Sequence, residues 1–342
     1  MKALVIHGPG KYRFEADWPE PQSKADWARV RVQHAGICGS DITRFATTGS
    51  YHHPMILGHE FSGVVDTPAK GSNRFKAGQR VAVLPIIPCG TCSGCSTLGP
   101  FHCNNYQFLG SRNDGGFAEY CLVPEQNLFP LPDSLDPRIG AFIEPIAVAL
   151  HVLRRSGFQP GESAIVFGAG TIGILIALWL KIFGATRLAI GDIRADKLEM
   201  ARSMGIDETF DAHRLSPDTE DEASNISGFD AAFEAAGSTA ALLSAIGAVS
   251  HKGTITVVGR EVKDVVVPID IFEKLMRKEV NLHGCWGYNM DEDQSFVYEM
   301  LKRGRFPVTQ LISHEINLEG APEMIEKMIR KEMHYGKVML EI

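Results

Sequence analysis

The feature that most restricts this chain is a glycine turn set between an apolar strand and an apolar helix. The short run Ala164–Phe167 leads into Gly168-Ala169-Gly170-Thr171-Ile172-Gly173, and a helical stretch follows over roughly Ile172–Phe183. In that context GxGxxG is informative. The first glycine permits a tight turn, the second lets backbone approach a pyrophosphate, and the third lets helix and strand pack closely. The helix N-terminus around Thr171 and Ile172 offers free N–H groups to phosphates. The next strand, Arg187–Gly191, is followed by Asp192. A carboxylate there accepts hydrogen bonds from the adenosine ribose and repels a 2′-phosphate, so it favours NAD over NADP. Arg194 stands close enough to soften that preference. A glycine-rich turn with no ligand and a surface aspartate is the plain alternative.

Beyond the turn, a helix is expected over Ala195–Met204 and strands over Phe229–Phe233 and Thr254–Val258. Strands alternating with helices imply an α/β fold with a doubly wound parallel sheet. The texture before about residue 150 is different. Ala28–His34, Gly58–Val65, Arg80–Leu84 and Phe117–Val123 are short β-like runs punctuated by Gly and Pro, as in an irregular antiparallel barrel. After about residue 282 the pattern changes again, with helices expected over Gln294–Leu301 and Ala321–Glu332 and a closing strand over Lys337–Glu341 that returns to the first domain. Asp218–Asn225 reads as a solvated turn. A chain of 342 residues suits about two domains.

Several function classes fall away on composition. The net charge is −7 and no basic stripe stands out, which argues against nucleic acid. Met1–His7 lacks the features of a signal peptide. Ser163–Leu180 carries no charged residue, yet its glycines fit a strand, a turn and a buried helix better than a membrane span. A cytoplasmic protein is expected.

Of seven cysteines, Cys89, Cys92, Cys95 and Cys103 form C-x2-C-x2-C-x7-C. Two-residue spacers let thiolates converge on one ion, and four sulfurs make a closed tetrahedral shell, a structural zinc site. An iron–sulfur cluster also uses four cysteines. Cys121 reads as buried core. Three further residues stand in suggestive surroundings: Cys38 in GICGSD, His59 in GHE, and Glu144 in FIEP, where Pro145 would start a helix. Spacing alone does not unite them.

GxCGSD, GHE, the four-cysteine lobe, EP and GxGxxG occur in that order, and together they resemble the zinc-containing medium-chain dehydrogenases over nearly the whole chain. Within that family the polyol branch is most similar. Glu144 stands where alcohol dehydrogenases proper carry a cysteine ligand. The stretches Phe108–Tyr120 and Gly140–Ile146, and more distantly Gly284-Cys285-Trp286, resemble members that act on polyol phosphates. The resemblance implies a GroES-like β-rich catalytic domain at 1–150 and 283–342, and a Rossmann NAD-binding domain at 151–282. It implies a catalytic zinc on Cys38, His59 and Glu144, with Glu60 as an alternative ligand, Asp41 orienting a ligating His, and Ser40 receiving the alcohol proton. Thr43 stands where relatives often place a relay His. The active site is expected in a cleft between domains, with Val258, Gly259 and Trp286 near the nicotinamide.

The implied reaction is reversible oxidation of a secondary alcohol by hydride transfer to NAD, with one catalytic and one structural zinc per subunit. Tyr51, His52 and His53 are candidates to line a polyol channel, and Arg112 to pair with a substrate phosphate or to sit in a structural salt bridge. Trp286 suits either a substrate contact or a subunit seam. A free polyol, a sugar acid or L-threonine are alternative substrates, and a non-catalytic nucleotide-binding protein is the alternative of another class. A homodimer is implied, extended through the 280–284 sheet edge, or a tetramer.

Overall fold

The computed structural model describes residues 1–214, 226–289 and 293–342. Asp218–Asn225 lies outside them. The chain divides into two compact units, Met1–Glu144 with Asn289–Ile342, and Pro145–Tyr288. The sequence boundaries at 150 and 283 stand a few residues away.

The first unit is built around Trp27–Ile37. Its alternating Ala28, Val30 and Val32 point into the core. This strand pairs antiparallel with Glu60–Thr67, with Tyr120–Pro124 and with Lys337–Glu341. The closing strand runs over the expected residues. Others start later: Glu60 rather than Gly58, and Tyr120 rather than Phe117. Phe117 instead accepts from Leu4 N–H at 2.9 Å and fills the core beside Leu4, Ile6 and Phe45. The main sheet is mixed, not wholly antiparallel. Ile312–Asn317 and Lys337–Glu341 run parallel, because Ala321–Ile329 is a helix that carries the chain back to the same end. Cys121 is buried in this core.

The second unit holds six parallel strands. Their spatial order is Glu208–Asp211, Arg187–Asp192, Ser163–Phe167, Phe229–Glu234, Val249–Val257 and Asn281–Gly284. In chain order that is 3-2-1-4-5-6, the dinucleotide-binding arrangement, with its switch point between Ser163–Phe167 and Phe229–Glu234. The apolar stretch from Ser163 resolves into a strand, a turn and the helix Thr171–Ile182, whose residues Gly173 to Leu180 are all buried. Burying each large aliphatic side chain there contributes about 1.5–3 kcal/mol. Among the described residues no helix is long and apolar enough to cross a membrane.

Candidate metal and cofactor sites

Register places the first cluster. Cys38 follows directly on Trp27–Ile37, in which Gly36 faces Glu60 on one side and Met339 on the other. A Cβ on Gly36 would stand 2.5 Å from Glu60 Oε2 and 3.3 Å from Lys337 Cδ, so only glycine leaves room for both chains. The ligand atoms of Cys38, His59 and Glu60 all lie within 4.8 Å of one another. Glu144, in the first turn of the helix Ile143–Ser156, is not in this tightest set. It is buried, and the charges it feels are those of His59, Glu60, Lys337 and Asp41. That helix starts before Pro145, so Glu144 sits within it rather than ahead of it.

The charges here are paired. Asp41 is 0% exposed, Glu60 2% and Lys337 4%, too deep to be left alone. Lys337 Nζ lies 2.5 Å from Glu60 Oε2. The Cys38 N–H donates to Asp41 Oδ2 at 3.0 Å, and Asp41 Oδ1 stands 3.3 Å from His59 Nδ1. Burial opposes charge on His59, yet Asp41 and Cys38 hold its pKa well above the usual imidazole range. Burial also pushes Glu144 up to about 7. A thiol, an imidazole and a carboxylate converging in a charge-compensated pocket fit a divalent ion of zinc's ligand preference. Ser40 lies in the first turn of the short helix Gly39–Thr43. Thr43 is exposed, its hydroxyl donating to Gly39 O at 3.3 Å. Lys337 is the residue sequence reasoning missed. A lysine immediately before the apolar run Val338–Leu340 was its only signal.

Cys89, Cys92, Cys95 and Cys103 also bring their sulfurs within 4.8 Å of one another. Cys92 caps the helix Ser93–Thr97, its sulfur accepting from Cys95 N–H at 3.5 Å. The Thr91 hydroxyl and nearby backbone groups draw the Cys89 thiol down to about 5. All seven cysteines are free of disulfides, and this fourfold set has the donors of a closed zinc shell.

On the second unit, Gly168 has φ +104°, and its Cβ would stand 2.7 Å from Ala236 N. A Cβ on Gly173 would stand 1.8 Å from Gly168 O. At Gly170 nothing lies within 4 Å of that position, which leaves open backbone beside the N-terminus of Thr171–Ile182. No side chain caps that end and no acidic residue sits in its first turn, so it suits a pyrophosphate. Asp192 closes the turn, accepting from Ala169 N–H at 2.8 Å and Arg194 N–H at 3.0 Å. The Arg194 guanidinium pairs with Asp196 at 2.6 Å. Val258 and Gly259 follow the strand Val249–Val257.

The loop after Phe108 packs over the His59 segment. Rings of His59 and Phe108 are 5.8 Å apart, and Gly116 N–H donates to Gly58 O at 2.8 Å. Arg112 lies on this loop with its guanidinium 4.2 Å from the Tyr51 ring and 4.3 Å from the Tyr106 ring. It donates to Tyr51 Oη at 3.3 Å, its Nε is buried without a hydrogen-bond partner, and among the described residues no carboxylate pairs with it. His52 Nε2 meets Arg112 O at 3.2 Å, whereas His53 Nε2 turns to Ser50 N–H at 3.3 Å. Trp286 is 58% exposed.

Residues 24–133 match the family description "Alcohol dehydrogenase GroES-like domain", and residues 171–305 match "Zinc-binding dehydrogenase". The chain is 32% identical to galactitol 1-phosphate 5-dehydrogenase of Escherichia coli K12 over 99% of both chains. A crystal structure of galactitol-1-phosphate dehydrogenase from E. coli superimposes with a TM-score of 0.92, at 32% identity and 100% coverage of each chain. Sorbitol dehydrogenase of Bacillus subtilis strain 168 is 30% identical over 99% of this chain and 97% of its own length. L-threonine 3-dehydrogenase of Rhizobium johnstonii is 30% identical over 100% and 98%.

Proposed function

The chain belongs to the zinc-binding dehydrogenases of the alcohol dehydrogenase family, and on that premise we propose that it oxidises a secondary alcohol of a polyol phosphate with NAD as acceptor. The observation that carries the dehydrogenase reading is the convergence of half-buried Cys38 with buried His59 and Glu60, the last paired with Lys337, and buried Glu144 in their field.

Cys38, His59 and Glu144 are the proposed zinc ligands. Glu60, held by Lys337, is the alternate. Held by these side chains, zinc would supply Lewis-acid chemistry at the substrate hydroxyl. Asp41, 3.3 Å from Nδ1 of His59, would orient that ring toward the metal. Ser40 receives the hydroxyl proton. Thr43, one helical turn on and exposed, is the outlet. The glycine turn and the helix N-terminus at Thr171 would seat the pyrophosphate of NAD, and the cofactor would supply the hydride acceptor. Asp192 takes the adenosine ribose, and Arg194, already paired with Asp196, contributes less to a 2′-phosphate than an unpaired arginine would. The four-cysteine lobe would hold a second, structural zinc.

Phosphate specificity rests on Arg112. Two tyrosine faces order a guanidinium that no described carboxylate neutralises, and Tyr51 Oη adds a donor or acceptor beside it. His52 steadies the same loop. NAD reduction with paired polyols and polyol 1-phosphates, on protein of known zinc content, tests the reading. Phosphates react and free polyols do not, and Arg112→Ala raises KM for the phosphate about 10–100-fold while kcat changes little. Free polyols, aldonates or L-threonine reacting as well or better would remove the phosphate specificity and leave the zinc–NAD chemistry standing.

We also infer a homodimer in the cytosol. Val266, Ile269, Phe272, Met276, Leu282 and Trp286 leave large apolar side chains exposed within one stretch of sequence. The strand Asn281–Gly284 pairs on one side only among the described residues. Pairing that edge with a second copy about a two-fold axis covers both. Light scattering checks it: Leu282→Lys shifts the dimer toward monomer, and a tetramer would require a further interface.

A further inference from the structure

Sheets of this order are built from two mononucleotide-binding halves and take a dinucleotide across the switch point. The adenosine half has the glycine turn and Asp192. In the other half, Phe229–Glu234 and Val249–Val257 end in two loops that meet. The side chain of Glu234, 2% exposed, lies between them. Its Oε1 accepts from the N–H groups of Ala236, Gly237 and Ser238 at 3.0, 2.7 and 3.4 Å. Its main-chain oxygen accepts from Val258 and Gly259 at 2.9 and 3.0 Å. A Cβ on Gly259 would stand 2.4 Å from Glu234 Oε2 and 2.2 Å from Gly237 N, so the loops are as close as backbone allows.

A second carboxylate completes the arrangement. Glu261 accepts from Thr239 N–H at 3.0 Å through one oxygen, and from Val262 and Lys263 at 2.8 and 3.1 Å through the other. The N–H groups of residues 236 to 239, at the start of the helix Thr239–Ala248, are therefore satisfied by two protein carboxylates. That helix end has already neutralised its positive pole. The end at Thr171 has no such carboxylate, so the two ends divide the labour: one binds an external anion and the other carries an internal one.

We propose that Glu234 is a positioning residue for the nicotinamide end of the cofactor, fixing the facing loops 235–238 and 258–260 as a preformed wall, with Glu261 buttressing the outer side. The proposal rests on the NAD reading above. The wall touches the glycine turn through Ala236 and is tied to the central strand by the 2.8 Å bond from Ala235 N–H to Phe167 O. Loosening it costs ordering of the nicotinamide while the adenosine half stays intact.

Calorimetric affinities for NADH and ADP-ribose separate the two halves, since ADP-ribose lacks only the nicotinamide. Glu234→Ala weakens NADH about tenfold or more and ADP-ribose less than about threefold, from the loss of buried acceptors to three N–H groups. Glu234→Gln, which keeps one acceptor oxygen, falls between. Glu261→Ala, at a more exposed position, shifts the NADH to ADP-ribose ratio in the same direction by about threefold and serves if Glu234→Ala fails to fold. Equal losses for both ligands, or no loss of NADH affinity in either position, overturn the proposal. Wild-type protein that binds neither ligand overturns the cofactor reading along with it.

Discussion

The two clusters of the first unit whose side chains could hold a metal ion are built by opposite means. The four-cysteine lobe gathers its sulfurs from Cys89–Cys103, three of them only partly buried, with its turns supplied by the same short segment. The Cys38 cluster takes its side chains from Cys38–Asp41, His59–Glu60, Glu144 and Lys337, and places acids and a lysine where water does not reach. A lobe of that kind is expected to depend on an ion for its order, whereas the Cys38 cluster depends on a balance of charge among its buried side chains.

That contrast can be broken in four places. The largest effect is expected from Cys38→Ser. Zinc falls from two to one per chain and kcat/KM by about a thousandfold or more, while thermal unfolding moves little, because the site's frame is the sheet itself. Metal analysis beside kinetics and calorimetry checks this. Next, Lys337→Met leaves the Glu60 carboxylate buried alone and destabilises by about 3–5 kcal/mol in denaturant unfolding. Adding Glu60→Gln recovers most of that loss. Failure to recover would mean that Lys337 acts by packing and not by charge. Cys92→Ser also drops zinc from two to one, but its signature is the reverse of Cys38→Ser. Protease cleavage within 88–106 rises sharply, while the activity of the intact fraction changes less than about threefold.

The smallest effect is a surface control. Arg138 holds the Asp136 carboxyl below the usual carboxylate range and also pairs with Glu315 at 2.9 Å. With the folded pKa depressed, the stabilisation is present above the ordinary carboxylate range and is lost as pH falls through the lowered value. Arg138→Ala should therefore cost under about 1 kcal/mol at neutral pH and nothing in strong acid. A pH series of unfolding midpoints reads it directly, and an Arg138 effect as large as that of Lys337 would erase the distinction between buried and exposed charge.

Legibility followed the same division. The cysteine spacing and the glycine turn are local, and each residue's neighbours in space are its neighbours in sequence. Cys38, His59 and Glu144 could be joined only by resemblance, because β-register, not spacing, sets their distances. Lys337 stayed hidden in a strand whose pattern advertised burial alone. Glu234 stood just beyond the strand expected over Phe229–Phe233, and its hydrogen bonds to backbone N–H groups leave no trace in residue types. The parallel pairing of Ile312–Asn317 was missed because its alternation is shallow and its partner lies beyond a helix.

The antiparallel seam between residues 34–37 and 338–341 has a consequence for biosynthesis. The Lys337–Ile37 contact spans 300 positions, with the whole inserted unit between them. A ribosome delivers the parallel-sheet unit complete before it delivers the strand that finishes the first. Until then Glu60 lacks its lysine partner, Gly36 has an open edge, and the Cys38 cluster lacks one wall. Vectorial synthesis thus makes assembly of the Cys38 cluster one of the last events in the maturation of this protein, and the nascent first unit the species most exposed to misassociation.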